Sequence, residues 1–224
     1  MQRFSLIDYP GRICAIVFTR GCNFRCPYCH NPELVLPDAA ESRVPENEFF
    51  SLLEKRRGKL DGVSITGGEP LLQPGMIPFV RQIKELGYCV KLDTNGSRPD
   101  ILEEMIAERL LDFIAMDIKA PLEKYQDVVR SPVDTRQINR SISSIIRSGV
   151  DYEFRTTIVR SLLSEKDLLE IGRKIEGSER YVLQKFLPAK TLDPSFLKDS
   201  CYSDEELQGI KKSLEKYIQS VYIR

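Results

Sequence analysis

Apolar positions fall into two kinds of run that alternate along the chain. Short blocks of consecutive β-branched and aliphatic residues read as buried strands at 13–19, 62–66, 88–93, 113–118, 152–159 and 180–186. Between them apolar residues recur at helical spacing over 45–57, 76–86, 99–109, 136–147 and 165–175, and 203–218 closes the chain as a further helix. Pro45 suits a first helical turn, Gly87 and Gly149 stop helices, and Ser203 with Glu206 three residues later has the form of a capping box.

Repeated strand-then-helix units imply an α/β fold with a parallel sheet and helices packed outside it. Six such units are two short of a closed eight-fold barrel, so the expectation is an open, partial parallel (β/α)6 barrel. Residues 1–224 read as one domain, with a core over about 13–188 and a C-terminal helical extension over 189–224. Chemistry in such folds gathers at the C-terminal ends of strands. Unusual residues sit there: Cys22, Cys26 and Cys29 after the first strand, Gly67-Gly68-Glu69-Pro70 after the second, Asp93-Thr94-Asn95 after the third, and Asp117 with Lys119 at the end of the fourth.

Composition narrows the function. The 224 residues carry 33 basic and 33 acidic side chains, so the basic excess of a general nucleic-acid binder is missing. The longest apolar runs, such as 13–18, are far too short to cross a bilayer, and no signal-peptide core stands at the N-terminus. A cytoplasmic protein is the simplest expectation, and a reducing compartment argues against reading six cysteines as a disulfide framework.

The spacing C-x3-C-x2-C admits several chemistries. Cys26-Pro27-Tyr28-Cys29 has the form of a dithiol redox pair but leaves Cys22 idle. Cys26 to His30 matches c-type haem attachment. A zinc site from Cys22, Cys26, Cys29 and His30 would bunch its ligands, whereas structural zinc usually takes separated pairs. An iron–sulfur cluster remains: a [4Fe–4S] cube normally takes four thiolates, and three from this loop leave one iron open. Cys14 and Cys89 lie in apolar strands and read as core, and Cys201 lies far along the chain.

With Tyr28 just before the last cysteine and Gly67-Gly68-Glu69-Pro70 after the second strand, the chain resembles the radical S-adenosylmethionine (SAM) superfamily over about 13–188. The resemblance implies a partial barrel of the radical SAM type. It also implies a [4Fe–4S] cluster on Cys22, Cys26 and Cys29 that passes one electron to SAM, giving methionine and a 5′-deoxyadenosyl radical. Gly67 and Gly68 would let backbone approach SAM, and Glu69 would accept from its ammonium group. Leu92 to Gly96 and Met116 to Lys119 look like strand ends of the glycyl radical enzyme activating branch. That likeness implies a monovalent cation on Asp93, Thr94, Asp117 and the Ala115 carbonyl, with Lys119 and Arg155 on the SAM carboxylate or ribose. Tyr28, Gly67, Gly68, Glu69, Asn95, Lys119 and Arg155 are then the expected SAM-binding residues, with Ile158 and Phe186 as candidate neighbours of the adenine. Within that branch the chain is most similar to activating proteins of anaerobic ribonucleoside-triphosphate reductase, in 21–34, 154–157 and 183–188.

The function so implied is abstraction of a glycine hydrogen from a partner glycyl radical enzyme. The electron would come from a low-potential donor such as flavodoxin or ferredoxin. Two alternatives stay open: a radical SAM enzyme acting on a small metabolite in cofactor or deazapurine synthesis, and a non-enzymatic iron–sulfur electron carrier. Loops 31–43 and 187–202 are expected beside the barrel mouth.

Overall fold

A computed structural model describes residues 1–35 and 43–224. Most of the expected mouth loop 31–43 lies outside the described residues. The described residues form one eight-stranded sheet in chain order, β1 (Gln2–Ser5), β2 (Cys14–Thr19), β3 (Gly62–Gly67), β4 (Cys89–Thr94), β5 (Phe113–Asp117), β6 (Asp151–Ile158), β7 (Arg180–Lys185) and β8 (Ser220–Ile223). Strands β2 to β8 pair in parallel, and β1 runs antiparallel to β2 at one edge. The six expected strands are β2 to β7, the run of a partial, open barrel. Two edge strands were not expected, and β8 corrects the reading of 189–224 as helical. The chain there makes a 3-10 turn (Pro194–Lys198), a helix and then the parallel strand β8. The final helix ends at Leu214 rather than 218, because the chain must turn back to enter the sheet.

The helices are α1 (Pro32–Val35), α2 (Glu46–Lys55), α3 (Met76–Glu85), α4 (Pro99–Ala107), α5 (Tyr125–Val129), α6 (Thr135–Arg147), α7 (Glu165–Lys174) and α8 (Asp204–Leu214). Each longer helix buries one stripe: Val80 and Ile83 on α3, Ile138, Ile142 and Ile145 on α6, Leu207, Ile210 and Leu214 on α8. The capping box of Ser203 and Glu206 starts α8, and Ser164 with Asp167 forms a second one at α7.

Strand residues that pair in parallel register point to the same face. Val63, Ile65, Val90, Leu92, Ile114, Met116, Phe154 and Leu183 therefore share the outer face, where they join the helix stripes in one buried core. The inner face carries a separate small cluster of Tyr9, Cys14, Ile16, Phe113 and Ala115, which plugs the barrel from below. Above this plug the inner face turns polar.

Candidate active site

The cysteine loop leaves β2 and is held by its backbone. Gly21 N donates to Leu34 O at 2.7 Å, and Arg25 N to Val129 O at 2.8 Å. The Arg25 guanidinium donates to the Cys22 and Phe24 carbonyls. The loop wraps so that Cys22, Cys26 and Cys29 all line one cleft of about 240 Å³ at the C-terminal ends of the strands. All six cysteines are free thiols; Cys14 lies in the inner plug with Cys89 against it, and Cys201 packs on the outer core. Burial pushes the Cys22 thiol up and the Cys26 thiol to about 12, although Lys119 draws both down. Cys22 Sγ accepts from Phe24 N at 3.4 Å and from Asn95 Nδ2 at 3.8 Å.

The glycine pair is required by packing. A Cβ on Gly67 (φ +116°) would stand 2.4 Å from both N and O of Thr19, and one on Gly68 would stand 2.1 Å from Gly21 O. The close approach that needs glycine is thus to the start of the cysteine loop, where Glu69 N also donates to Gly21 O. Glu69 itself is fully buried behind the cleft and does not line it. Its Oε1 accepts from Leu71 N at 3.0 Å and Thr94 Oγ1 at 2.8 Å, and its Oε2 accepts from Asn95 N at 2.7 Å. The carboxylate joins the ends of β3 and β4. Burial pushes it up to about 7 against these three donors.

In the same cleft, the inner face presents a charged floor. Arg155 on β6 donates from Nε to Asp117 Oδ1 at 2.8 Å and reaches Asp93 Oδ1 from Nη1 at 3.5 Å. Lys119 Nζ meets Asp117 Oδ2 at 3.2 Å, and Lys91 Nζ donates to Asp93 Oδ1. Burial alone would raise the Asp117 carboxyl; the charges of Arg155 and Lys119 overcome this and hold it well below the usual carboxylate range. Burial would likewise discharge Lys119, and Asp117 reverses that, keeping the ammonium firmly protonated.

Tyr28, Gly67, Gly68, Asp93, Thr94, Asn95, Asp117, Lys119 and Arg155 therefore converge with the three cysteines on one cleft. Ala115 does not join them and lies in the plug. Ile158 also departs from expectation: an odd step from Arg155 turns it to the outer core. Phe186 belongs to the core as well, stacked on His30 and edge-on to Tyr28, both of which line the cleft. Thr157 and Gln184 were missed as lining residues, and Lys91 as part of the floor. Period-two spacing from Arg155 and from Asp93 was the available signal for Thr157 and Lys91. The 187–202 segment does reach the cysteine loop: Leu187 O meets His30 Nε2 at 2.9 Å, and Asp193 N donates to Pro27 O.

Three soft thiols lining one cleft, hydrogen-bond donors at one sulfur and a cationic floor suit a thiolate-held iron–sulfur cluster beside an anionic ligand. The profile described as the radical SAM superfamily matches residues 16–173. The chain belongs to the radical SAM superfamily, whose members use a [4Fe–4S] cluster and SAM. More particularly, it is 36% identical over 227 residues to a Methanocaldococcus jannaschii protein provisionally named a glycyl-radical enzyme activating enzyme, covering 98% of this chain and 92% of that one. It is 28% identical to the pyruvate formate-lyase-activating enzyme of Clostridium pasteurianum, over 99% of this chain and 96% of that one. These relatives place it among radical SAM enzymes of the activating branch. Streptococcus suis SuiB bound to S-adenosylmethionine shares the fold, with a TM-score of 0.70 at 14% identity over 94% of this chain and 49% of that one. No described helix is long and apolar enough to cross a membrane.

Proposed function

We propose that the chain, with residues 1–224 acting as one domain, activates a glycyl radical enzyme in the cytoplasm by removing one hydrogen from a glycine Cα. The observation that carries this is the convergence of Cys22, Cys26 and Cys29 with the charged strand ends on a single cleft. Cys22, Cys26 and Cys29 would hold the cluster. When bound, the reduced [4Fe–4S] cluster supplies the electron that splits SAM into methionine and a 5′-deoxyadenosyl radical.

The chain's own residues bind and orient. Lys119 and Arg155 offer positive charge to the SAM carboxylate, each already fixed by Asp117. Gly67 and Gly68 bring their backbone to the cleft, and Tyr28 with Asn95 lines it beside the thiols. Glu69 acts one layer back: its three hydrogen bonds hold the glycine turn and Asn95 in place, a positioning role in place of the ammonium contact expected from sequence.

Likeness to the activating branch supports a protein substrate, and the partner we favour is an anaerobic ribonucleoside-triphosphate reductase, with flavodoxin or ferredoxin as electron donor. The test uses partner enzyme carrying glycine deuterated at Cα. Incubation with reduced protein and SAM is expected to move deuterium into 5′-deoxyadenosine. Deoxyadenosine that stays unlabelled, but forms on adding a small metabolite, would favour the metabolite reading instead. Reduction without any SAM cleavage would leave an electron carrier.

A further inference from the structure

The charged floor disagrees with one expectation drawn from the activating branch. A monovalent cation on Asp93, Thr94, Asp117 and Ala115 needs carboxylate oxygens and a hydroxyl that are free to face it. Here the Thr94 hydroxyl is turned to Glu69, to which it donates at 2.8 Å, and it accepts from Gly96 N at 3.1 Å. Ala115 lies within the sheet on β5, paired with Asp93 of β4 and Glu153 of β6, and its side chain joins the apolar plug. Asp93 Oδ1 is already met by both the Lys91 ammonium and the Arg155 guanidinium, and the two Asp117 oxygens are taken by Arg155 and Lys119.

The charge balance points the same way. Within the ion-paired set two carboxylates, Asp93 and Asp117, meet three cations, Lys91, Lys119 and Arg155, an excess of one positive charge. Nearby Glu153 does not change that count, because Arg224 neutralises it through two hydrogen bonds of 3.0 and 2.9 Å. Glu69 lies buried behind the cleft, turned to three neutral donors, and takes no part in these ion pairs. An added alkali ion would meet Lys91 and Arg155 at close range, where like charges in a partly buried site repel strongly. Lys91 has almost no route to water, its side chain being 4% exposed, so it is built in rather than exchangeable.

We infer that Lys91 replaces the alkali cation: its ammonium is a fixed internal counter-charge for Asp93, and the site binds the carboxylate of SAM without a monovalent metal ion. Lys91 is a positioning residue, acting on the ligand through Asp93 and Arg155. The inference rests on the SAM-binding reading above.

The test is anaerobic calorimetric titration of SAM into reconstituted, unreduced protein, in potassium, sodium or choline chloride at one ionic strength. Wild type is expected to hold the same Kd within about twofold in all three, since only screening acts and it is constant. Lys91→Met should weaken binding in choline about tenfold or more, with potassium or sodium restoring it saturably, as expected when one partner of a buried charge pair is lost. Lys91→Arg, which keeps the charge, should stay indifferent to the salt. A merely structural role for Lys91 would not create a cation requirement. Wild-type binding that needs potassium or sodium would overturn the inference alone, as would a Lys91→Met protein that binds SAM normally in choline. If Lys91→Met does not fold, the wild-type salt series decides. Absence of saturable binding in every salt would overturn the SAM-binding reading, and this inference with it.

Discussion

The two faces of the same strands do opposite work. On the outer face every second residue is apolar and buried: Val63, Ile65, Val90, Leu92, Ile114, Phe154 and Leu183 lie under the helices. Burying each such side chain contributes roughly 1.5–3 kcal/mol. On the inner face, besides the apolar plug that includes Phe113 and Ala115, the intervening residues include Ser64, Lys91, Asp93, Asp117, Glu153, Arg155 and Thr157. Charges there are costly unless paired. The structure answers that cost locally: Arg224, at the end of the chain, clamps Glu153, and Arg155 bridges two aspartates. Stability and chemistry are thus divided by parity along each strand. Damage to one face should leave the other's property largely intact.

The sharpest break of this division is at the thiols. Cys22→Ala, Cys26→Ala or Cys29→Ala should each abolish SAM cleavage while the outer core stays folded. Cys14→Ala, Cys89→Ala and Cys201→Ala should keep about four irons per chain, as a cubane requires. Iron analysis and chromatography of 5′-deoxyadenosine check both halves, and cleavage that survives loss of Cys26 would sink the assignment. The reverse experiment is Leu102→Ala, at a fully buried position of α4. It should cost about 2–5 kcal/mol in denaturant unfolding. SAM affinity per folded molecule should not change; a parallel loss of affinity would show that the faces are coupled.

Glu69 lies between the two regions and gives a smaller, pH-dependent effect. Its folded pKa, raised to about 7 by burial against three hydrogen bonds, lies above the unfolded value near 4.5. The folded chain therefore binds this proton more tightly. The stabilisation is full below about pH 4.5, falls as pH rises, and is gone above about pH 7. Wild type should lose up to about 3 kcal/mol relative to Glu69→Gln, which cannot titrate, across that window. Unfolding curves of both proteins from pH 4.5 to 8 measure the difference. A wild type that instead gains stability relative to Glu69→Gln as pH rises would mean that the three donors keep Glu69 ionised and that burial is the weaker effect.

The outer face was largely legible in the sequence. Its strands are continuous apolar runs, its helices have a single stripe, and Ser203 with Glu206 marks the start of α8. The three cysteines and the strand-end residues Gly67, Gly68, Asp93, Thr94, Asn95, Asp117 and Lys119 line one cleft, whereas Glu69 does not. What was not legible depends on partners distant in the chain. Strands β1 and β8 have four residues each, too few to show a period, and pair only because β2 and β7 offer open edges. Nothing within Gly67-Gly68-Glu69-Pro70 reveals that Glu69 turns inward to Thr94 and Asn95, 25 and 26 residues on. The pairing of Lys91 with Asp93 and the opposite facing of Ile158 and Arg155 follow from strand parity alone, so those two signals were present in the sequence.

The most direct test of the account is electron paramagnetic resonance on a mixture of reduced, reconstituted protein, SAM and an anaerobic ribonucleoside-triphosphate reductase. The expected result is a stable doublet radical on the reductase, lost in oxygen with cleavage of the reductase chain at the radical glycine. Rapid SAM turnover with a small metabolite, and no protein radical on that reductase or any other glycyl radical enzyme of the same organism, would contradict it.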